Sequence, residues 1–383
     1  MDLRTLDDLD VAGRRVLLRS DLNVPLKDGV ITDDFRIRQS LPTIQELLER
    51  GASQVIVCSH LGRPKGVADP KFSLAPVAAR MAELLGEPVP LSPLPPGVPE
   101  QGARVTLLEN VRFAPGETKN DEGFAKDLAA RADVFVSDAF GAVHRAHASV
   151  SGVAAFLPSA AGRLVEREVR VLTELMVDPK RPLVAIVGGA KVSDKLAVLE
   201  NLVDVADVVC IGGAMCFTFF LAQGLGVGKS LAEPEQVHNV KALLQRAGHK
   251  IRLPVDVITA PELSVDAPRV TVPIDAIAND EAGYDIGPMT AARYADEIAL
   301  AGTVLWNGPM GVFELAPFAE GTHAIASAVA ASSAFIVVGG GDSIAAVDQL
   351  GIAERVDHAS TGGGAMLELL EGQTLPGLVV LQR

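Results

Sequence analysis

An α/β protein of two domains, each built on a mainly parallel sheet, is what this sequence predicts, and three features predict it. The chain has 383 residues, more than one hydrophobic core comfortably organises, so a division in two is natural. Short apolar runs rich in Val, Ile and Leu alternate with longer stretches of helical period, which is the pattern of βαβ units. The glycine-rich, arginine and histidine motifs fall just after those apolar runs, at the sheet edge where ligands bind in such folds.

Composition narrows the function. Hydrophobic residues make up 48% and charged residues 21%, ordinary globular usage that speaks against wholesale disorder. The aromatic share of 4%, with many Ala, Val and Leu, suits strands covered on both faces. A formal net charge of −14 argues against a nucleic-acid or anionic-membrane binder, since those need a basic surface. The excess acid lies mostly in the second half; the first is nearly balanced and rich in Arg. Cys58, Cys210 and Cys216 sit in apolar segments without CxxC or His-rich spacing, so they read as buried thiols in a reducing, cytoplasmic compartment. The opening MDLRTLDDLD is acidic and polar, unlike a secretory signal or Arg-rich transit peptide. The uncharged run from Val208 to Gly228 is broken by glycines and Gln223, which predicts a strand, loop and helix instead of a membrane span.

Strands are expected near 15–20, 54–58, 104–109 and 133–138 in the first half, and near 183–187, 207–211, 303–306 and 334–338 in the second. A helix is expected over roughly 160–177, where Leu164, Val165, Val169, Leu172, Leu175 and Met176 form an apolar stripe at 3.6-residue spacing. Asp178-Pro179 stops it. A second βαβ series follows, so the junction is placed on this helix: residues 1–162 form the first domain, 163–177 the connecting helix and 178–371 the second domain. The proline-rich stretch 86–100 lies between two strands of the first series and reads as a surface loop.

In the first half each strand runs into a polar motif. Strand 15–20 leads to Arg19-Ser20-Asp21-Leu22-Asn23, strand 54–58 to Ser59-His60-Leu61-Gly62-Arg63, strand 104–109 to Asn110-Val111-Arg112, and strand 133–138 to Asp138 and on to His144-Arg145. Arg36 follows the first strand. Arginine is a planar, permanently charged fork suited to carboxylate and phosphate oxygens, so several on one rim suggest a small polyanionic substrate. A single Arg is more often a surface ion pair of little energetic weight; a set placed strand by strand is not. His60, between Ser59 and Gly62-Arg63, reads as a hydrogen-bond donor to substrate, with no Ser or Cys nucleophile to pair with.

The second half carries glycines. Strand 183–187 ends in Gly188-Gly189-Ala190-Lys191-Val192-Ser193-Asp194-Lys195, where a helix is expected to begin with Lys191 and Lys195 on one face of its N-terminal end. Two lysines beside exposed amides make a place for phosphates. Gly212-Gly213, Gly339-Gly340-Gly341-Asp342-Ser343 and Gly362-Gly363-Gly364 bring further backbone close to an anion. Asp342 is placed to hold Mg²⁺ bridging phosphate oxygens. Gly224 to Ser230 imitates a Walker A loop, but Gln223 stands where the motif needs Gly and FTFFLAQ before it reads as helix.

RSDLNVPL, SHLGRP, LLENVRF, DAFGAVHRAHAS, GGAKVSDK, LWNGPMGVFE, VVGGGDS and HASTGGGAMLELLEG, in that order, resemble phosphoglycerate kinases over nearly the whole chain. The resemblance implies two Rossmann-like domains facing each other across a cleft, joined by a long helix, with residues 372–383 returning to the first domain. It implies a monomeric glycolytic enzyme that moves a phosphoryl group between 1,3-bisphosphoglycerate and ADP, giving 3-phosphoglycerate and ATP, with Mg²⁺. Carried over by motif, 3-phosphoglycerate would meet Asp21, Asn23, Arg36, His60, Arg63, Arg112 and Arg145. The nucleotide would meet Lys191, Lys195, Gly212, Gly213, Gly283, Asn307, Glu314, Gly340, Gly341, Asp342 and Ser343, with Glu314 on the ribose and Asp342 on the metal. Arg36 and Lys191 would be catalytic, and the amides of Gly362 and Gly363 would serve the transition state. The 86–103 connection and Ala214-Met215-Cys216 depart from the family pattern. A dinucleotide-dependent dehydrogenase is the rival enzyme reading, but it lacks GxGxxG with its following acid and leaves the arginines idle. A non-catalytic sugar-phosphate binder would leave the lysine pair and the Gly-Asp loop unexplained.

Overall fold

The computed structural model describes residues 1–94 and 102–383; part of the expected surface loop at 86–100 lies outside the described residues. The chain divides into two compact units, Met1–Arg170 with Gln373–Arg383, and Val171–Gly372.

In the first unit six parallel strands stand in the order Leu91–Ser92, Val105–Leu108, Gln54–Cys58, Arg15–Ser20, Val134–Asp138 and Ser159–Ala161. Arg19 pairs with Cys58 on one side and with Ser137 on the other, so the carboxyl ends are level and their loops open on one edge. Alternate strand residues enter two cores. Val16, Leu18, Val55 and Val57 pack with Ile37, Ile44, Val77 and Met81 of the helices Phe35–Glu49 and Ala75–Leu85; Leu17, Ile56 and Phe135 pack with Leu128 and Val153. Burial on both faces is why these runs show no polar alternation. The C-terminal segment joins this unit through fully buried Leu375, Leu378 and Leu381, with Gly377 N donating to Val143 O at 2.8 Å and Arg4 Nη2 to Val380 O at 2.6 Å.

The helix expected from about 160 begins instead at Arg163 and runs to Val177. Ser159–Ala161 pairs as an edge strand, and Asp138 Oδ1 caps the helix by accepting from Leu164 N at 2.9 Å and Val165 N at 3.3 Å. A side-chain acceptor for the first free amides fixes where a helix starts.

In the second unit the parallel sheet runs Ile251–Arg252, Val208–Ile211, Leu183–Val187, Thr303–Asn307, Phe335–Gly339, His358–Ala359. Counted along the chain this is the doubly wound order 3-2-1-4-5-6, whose ligand crevice opens at the switch between the first and fourth strands. A further antiparallel sheet, Val270–Pro273, Asp256–Ala260 and Ala282–Ile286, lies outside the expected strands; Val270, Thr271 and Pro273 of its edge strand are exposed, so that run has no apolar signature. After the strand Val208–Ile211 comes the helix Cys216–Ala222. The 224–230 segment is a loop joined to 278–281, with Lys229 N donating to Glu281 O at 2.7 Å. Among the described residues no helix is long and apolar enough to cross a membrane. Cys58, Cys210 and Cys216 are buried free thiols.

Candidate active site

The loops leaving the first sheet are fixed to one another by hydrogen bonds. Asn23 Oδ1 accepts from Gly62 N at 2.9 Å, Gly62 O from Arg112 Nη1 at 2.8 Å, and Leu61 O from Asn110 Nδ2 at 2.7 Å. Gly62 has φ +60°, and a Cβ there would sit 2.4 Å from the Phe72 ring, so only glycine makes this turn. Asp21, almost wholly buried, forms an ion pair with Arg36 in the first turn of the helix Phe35–Glu49.

The electrostatics of this edge has one sign. Burial, then Arg19, Arg145 and Arg63, lower the Arg112 pKa to about 10, with Glu117 opposing; Arg112 Nε is buried without a partner. Burial first, then Arg19, Arg112, Arg36 and His147, hold His60 well below the ordinary histidine value. Burial with Arg112, Arg19 and Arg145 brings His147 to about 4. Guanidinium groups close enough to lower one another's pKa form a positive surface suited to an anion. The structure thus brings together Asp21, Asn23, Arg36, His60, Arg63, Arg112 and Arg145 on one edge.

At the switch point of the second unit the glycines sit where no side chain fits. A Cβ on Gly188 would lie 2.0 Å from Pro309 O, on Gly212 2.3 Å from Met310 Sδ, and on Gly213 2.4 Å from Gly189 N. Lys195 Nζ donates to Gly188 O at 2.6 Å and Asn307 O at 3.1 Å, and burial lowers its pKa to about 8 against the pull of Asp342 and Asp194. Asn307 Nδ2 donates to Gly339 O at 2.9 Å and Gly308 N to Ser343 Oγ at 2.6 Å, which ties the Gly340-to-Ser343 turn to the same edge. Asp342 is exposed in the first turn of the helix Gly341–Gln349, and Glu314 is exposed on a turn. Gly283 lies inside the antiparallel strand Ala282–Ile286, where a Cβ would be 2.1 Å from the Phe217 ring.

One expectation for this unit is corrected. Lys191 and Lys195 do not share a helix face: the helix is Leu196–Val205, Lys195 precedes it, and 188–194 is a turn. Glu233 holds that turn, its Oε2 accepting from Ser193 N at 3.0 Å and its Oε1 from Ser193 Oγ at 2.5 Å. The Gly362 amide donates to Ser360 Oγ at 3.1 Å, while Gly363, with φ +51°, precedes the helix Gly364–Leu370.

Sequence reasoning passed over Arg19, Glu117, Ser149 and Glu233. Arg19 is 1% exposed and Glu117 0%; a charged residue that ends an apolar strand, as Arg19 does, is the one signal that could have found the first of them.

An arginine-rich edge in one unit and a glycine-and-lysine edge in a doubly wound second unit fit the class of phosphotransferases. A model of the phosphoglycerate kinase family matches residues 6–373. The phosphoglycerate kinase of Salinispora arenicola is 56% identical, with 100% of each chain covered; that of Rubrobacter xylanophilus is 53% identical over 100% of this chain and 98% of its own. The structure of phosphoglycerate kinase from Coxiella burnetii superposes with a TM-score of 0.90 at 45% identity, covering 99% of this chain and 98% of that one. That from Pyrococcus horikoshii OT3 gives 0.85 at 33% identity, with 99% and 98% covered. The chain belongs to the phosphoglycerate kinase family. It is a phosphotransferase with a carboxyl group as acceptor, and its reaction is the glycolytic transfer between 1,3-bisphosphoglycerate and ADP.

Proposed function

We propose that the first unit holds 3-phosphoglycerate through Asp21, Asn23, Arg36, His60, Arg63, Arg112 and Arg145. On the same reading the second holds ADP or ATP through Lys191, Lys195, Gly212, Gly213, Gly283, Asn307, Glu314 and the Gly340-to-Ser343 turn. The gathering of Arg36, Arg63, Arg112 and Arg145 with His60 on one edge carries this assignment, because a substrate with a phosphate and a carboxylate supplies the negative charge those guanidinium groups lack. Among the described residues no set of three or more His, Cys, Asp or Glu is arranged to hold a metal ion. Exposed Asp342 alone suits Mg²⁺, which takes one or two carboxylates plus substrate phosphates; the ion, when bound, neutralises phosphate charge. The enzyme works as a cytoplasmic monomer.

In the ATP-consuming direction a carboxylate oxygen of 3-phosphoglycerate forms a bond to the γ-phosphorus, and the bond to the β,γ-bridging oxygen breaks with its electron pair leaving on ADP. A carboxylate is ionised at neutral pH, so no general base is needed, unlike transfer to a hydroxyl. Arg36, held by Asp21, and Lys191 offset charge on the transferring oxygens, and the backbone amides of Gly362 and Gly363 serve the same transition state. Since each ligand belongs to one unit, reaction requires the units to close and exclude water, and the radius of gyration should fall when both substrates are present. Calorimetry tests the division of labour: Arg63→Ala should lose 3-phosphoglycerate and keep MgADP, and Lys195→Met the reverse. Loss of MgADP in Arg63→Ala would overturn it.

A further inference from the structure

We infer that Arg19 is a positioning residue whose guanidinium keeps the proton of His60 on Nε2, so that His60 meets the substrate as a neutral, single-donor imidazole. The inference rests on the reading of the first unit as the 3-phosphoglycerate site and names a residue that acts behind it. Arg19 Nη2 lies 2.9 Å from His60 Nδ1. A guanidinium can only donate, so Nδ1 must offer its lone pair, and in a neutral ring the proton then sits on Nε2. A second proton is opposed by burial, His60 being 7% exposed, and by Arg19, Arg112, Arg36 and His147 around the ring.

Arg19 itself is held in place by the protein. Nε donates to Ser149 Oγ at 3.0 Å and Nη1 to Ser20 O at 2.5 Å. The Ser149 hydroxyl passes its own proton to fully buried Glu117, at 2.6 Å, so its oxygen is free to accept from Arg19. Glu117 Oε2 also accepts from Ser149 N at 2.9 Å. This carboxylate, serine and guanidinium relay resembles a metal-free version of the partner that fixes a histidine tautomer elsewhere. It separates Arg19 from Arg63, Arg112 and Arg145: those are assigned to the ligand, whereas Arg19 spends its donors inside the unit.

The test is a long-range ¹H–¹⁵N correlation on the wild-type protein without ligand. The expected His60 pattern is a protonated Nε2 and a bare Nδ1, unchanged across neutral pH; a protonated Nδ1 or a doubly protonated ring overturns the inference. In Arg19→Met, KM for 3-phosphoglycerate should rise about tenfold, the worth of one lost hydrogen bond to a charged partner, with KM for MgATP unchanged and mixed His60 tautomers. Arg19→Lys, still a donor to Nδ1, should recover part of the loss. Equal rises in both KM values, or no rise, count against it. Amide shifts on adding 3-phosphoglycerate separate the two readings. If they avoid the first unit, the site assignment fails while the tautomer stands; if the tautomer is wrong and the shifts appear there, only the Arg19 inference falls.

Discussion

The edges proposed to bind substrate in the two units are made in opposite ways. The first gathers long charged side chains and keeps them in place with buried polar groups such as Glu117 and Asn110. The second brings backbone so close at Gly188 and Gly213 that a Cβ would strike Pro309 O or Gly189 N, and adds one confined ammonium, Lys195. An edge built of side chains loses function when a charge is deleted; an edge built of backbone loses it when an atom is added. Mutations that delete and mutations that add therefore distinguish the two designs.

The largest effect should come from deleting charge at the reacting group. Arg36→Ala and Lys191→Ala should each lower kcat by about 10²–10³, the usual cost of removing one donor from a developing anion, or about 2.7–4 kcal/mol. Far-ultraviolet circular dichroism should be unchanged in both. Wild-type turnover in either variant would remove that residue from the transition state.

Next in size is a pH effect on stability that should fall on both units at different pH. Burial raises Asp138 in the first unit to about 6 and Asp285 in the second to about 7. Each folded-state value lies above that of the unfolded chain, so the folded form binds the proton more tightly. The resulting stability is complete below the unfolded value near 3.8 and is lost as pH rises through 6 for Asp138 and 7 for Asp285. For Asp138 the loss is on the order of 3 kcal/mol. Asp138→Asn, which keeps the acceptor for Leu164 N and Val165 N, should flatten the pH dependence of hydrogen exchange in the first unit and leave that of the second. A profile as steep as wild type would show that the carboxyl ionises freely.

How much of this was legible follows from the same contrast. Arg36, His60, Arg63, Arg112 and Arg145 could be found in the sequence because their chemistry is in the side chain and each follows an apolar run. Glu117 and Ser149 could not, since their partner Arg19 is distant along the chain and nothing near them marks burial. Spacing of four suggested a helix face for Lys191 and Lys195. The close packing of Gly188 and Gly189 and the Glu233 bonds make a turn of it, and Glu233 in SLAEPEQ looks like any surface acid. The antiparallel edge strand went unseen because exposed Val270, Thr271 and Pro273 give no period. The eight main strands were plain because burial on both faces leaves uninterrupted apolar runs.

Adding an atom should separate the units with a smaller effect. Gly188→Ala sets a methyl group 2.0 Å from Pro309 O, and overpacking of this kind costs about 1–3 kcal/mol. MgADP affinity should fall while 3-phosphoglycerate affinity holds, as read by calorimetry. Loss of both would mean that the units do not keep separate binding frames.

The mildest prediction concerns Lys195, whose folded pKa of about 8 lies below its ordinary 10.5 because burial disfavours the ammonium. Between those values the unfolded chain carries a proton that the folded chain lacks, so this residue makes stability rise with pH across that window. Nucleotide binding should run the other way, because phosphate oxygens need the ammonium. MgADP affinity should therefore decline as pH passes about 8, by at most about tenfold per pH unit for one ionisation. Affinity for 3-phosphoglycerate should stay level as pH passes 8, since even Arg112, at about 10, is still charged there. Lys195→Arg should abolish the inflection, and an inflection that survives the substitution would assign it to another group and leave Lys195 charged throughout.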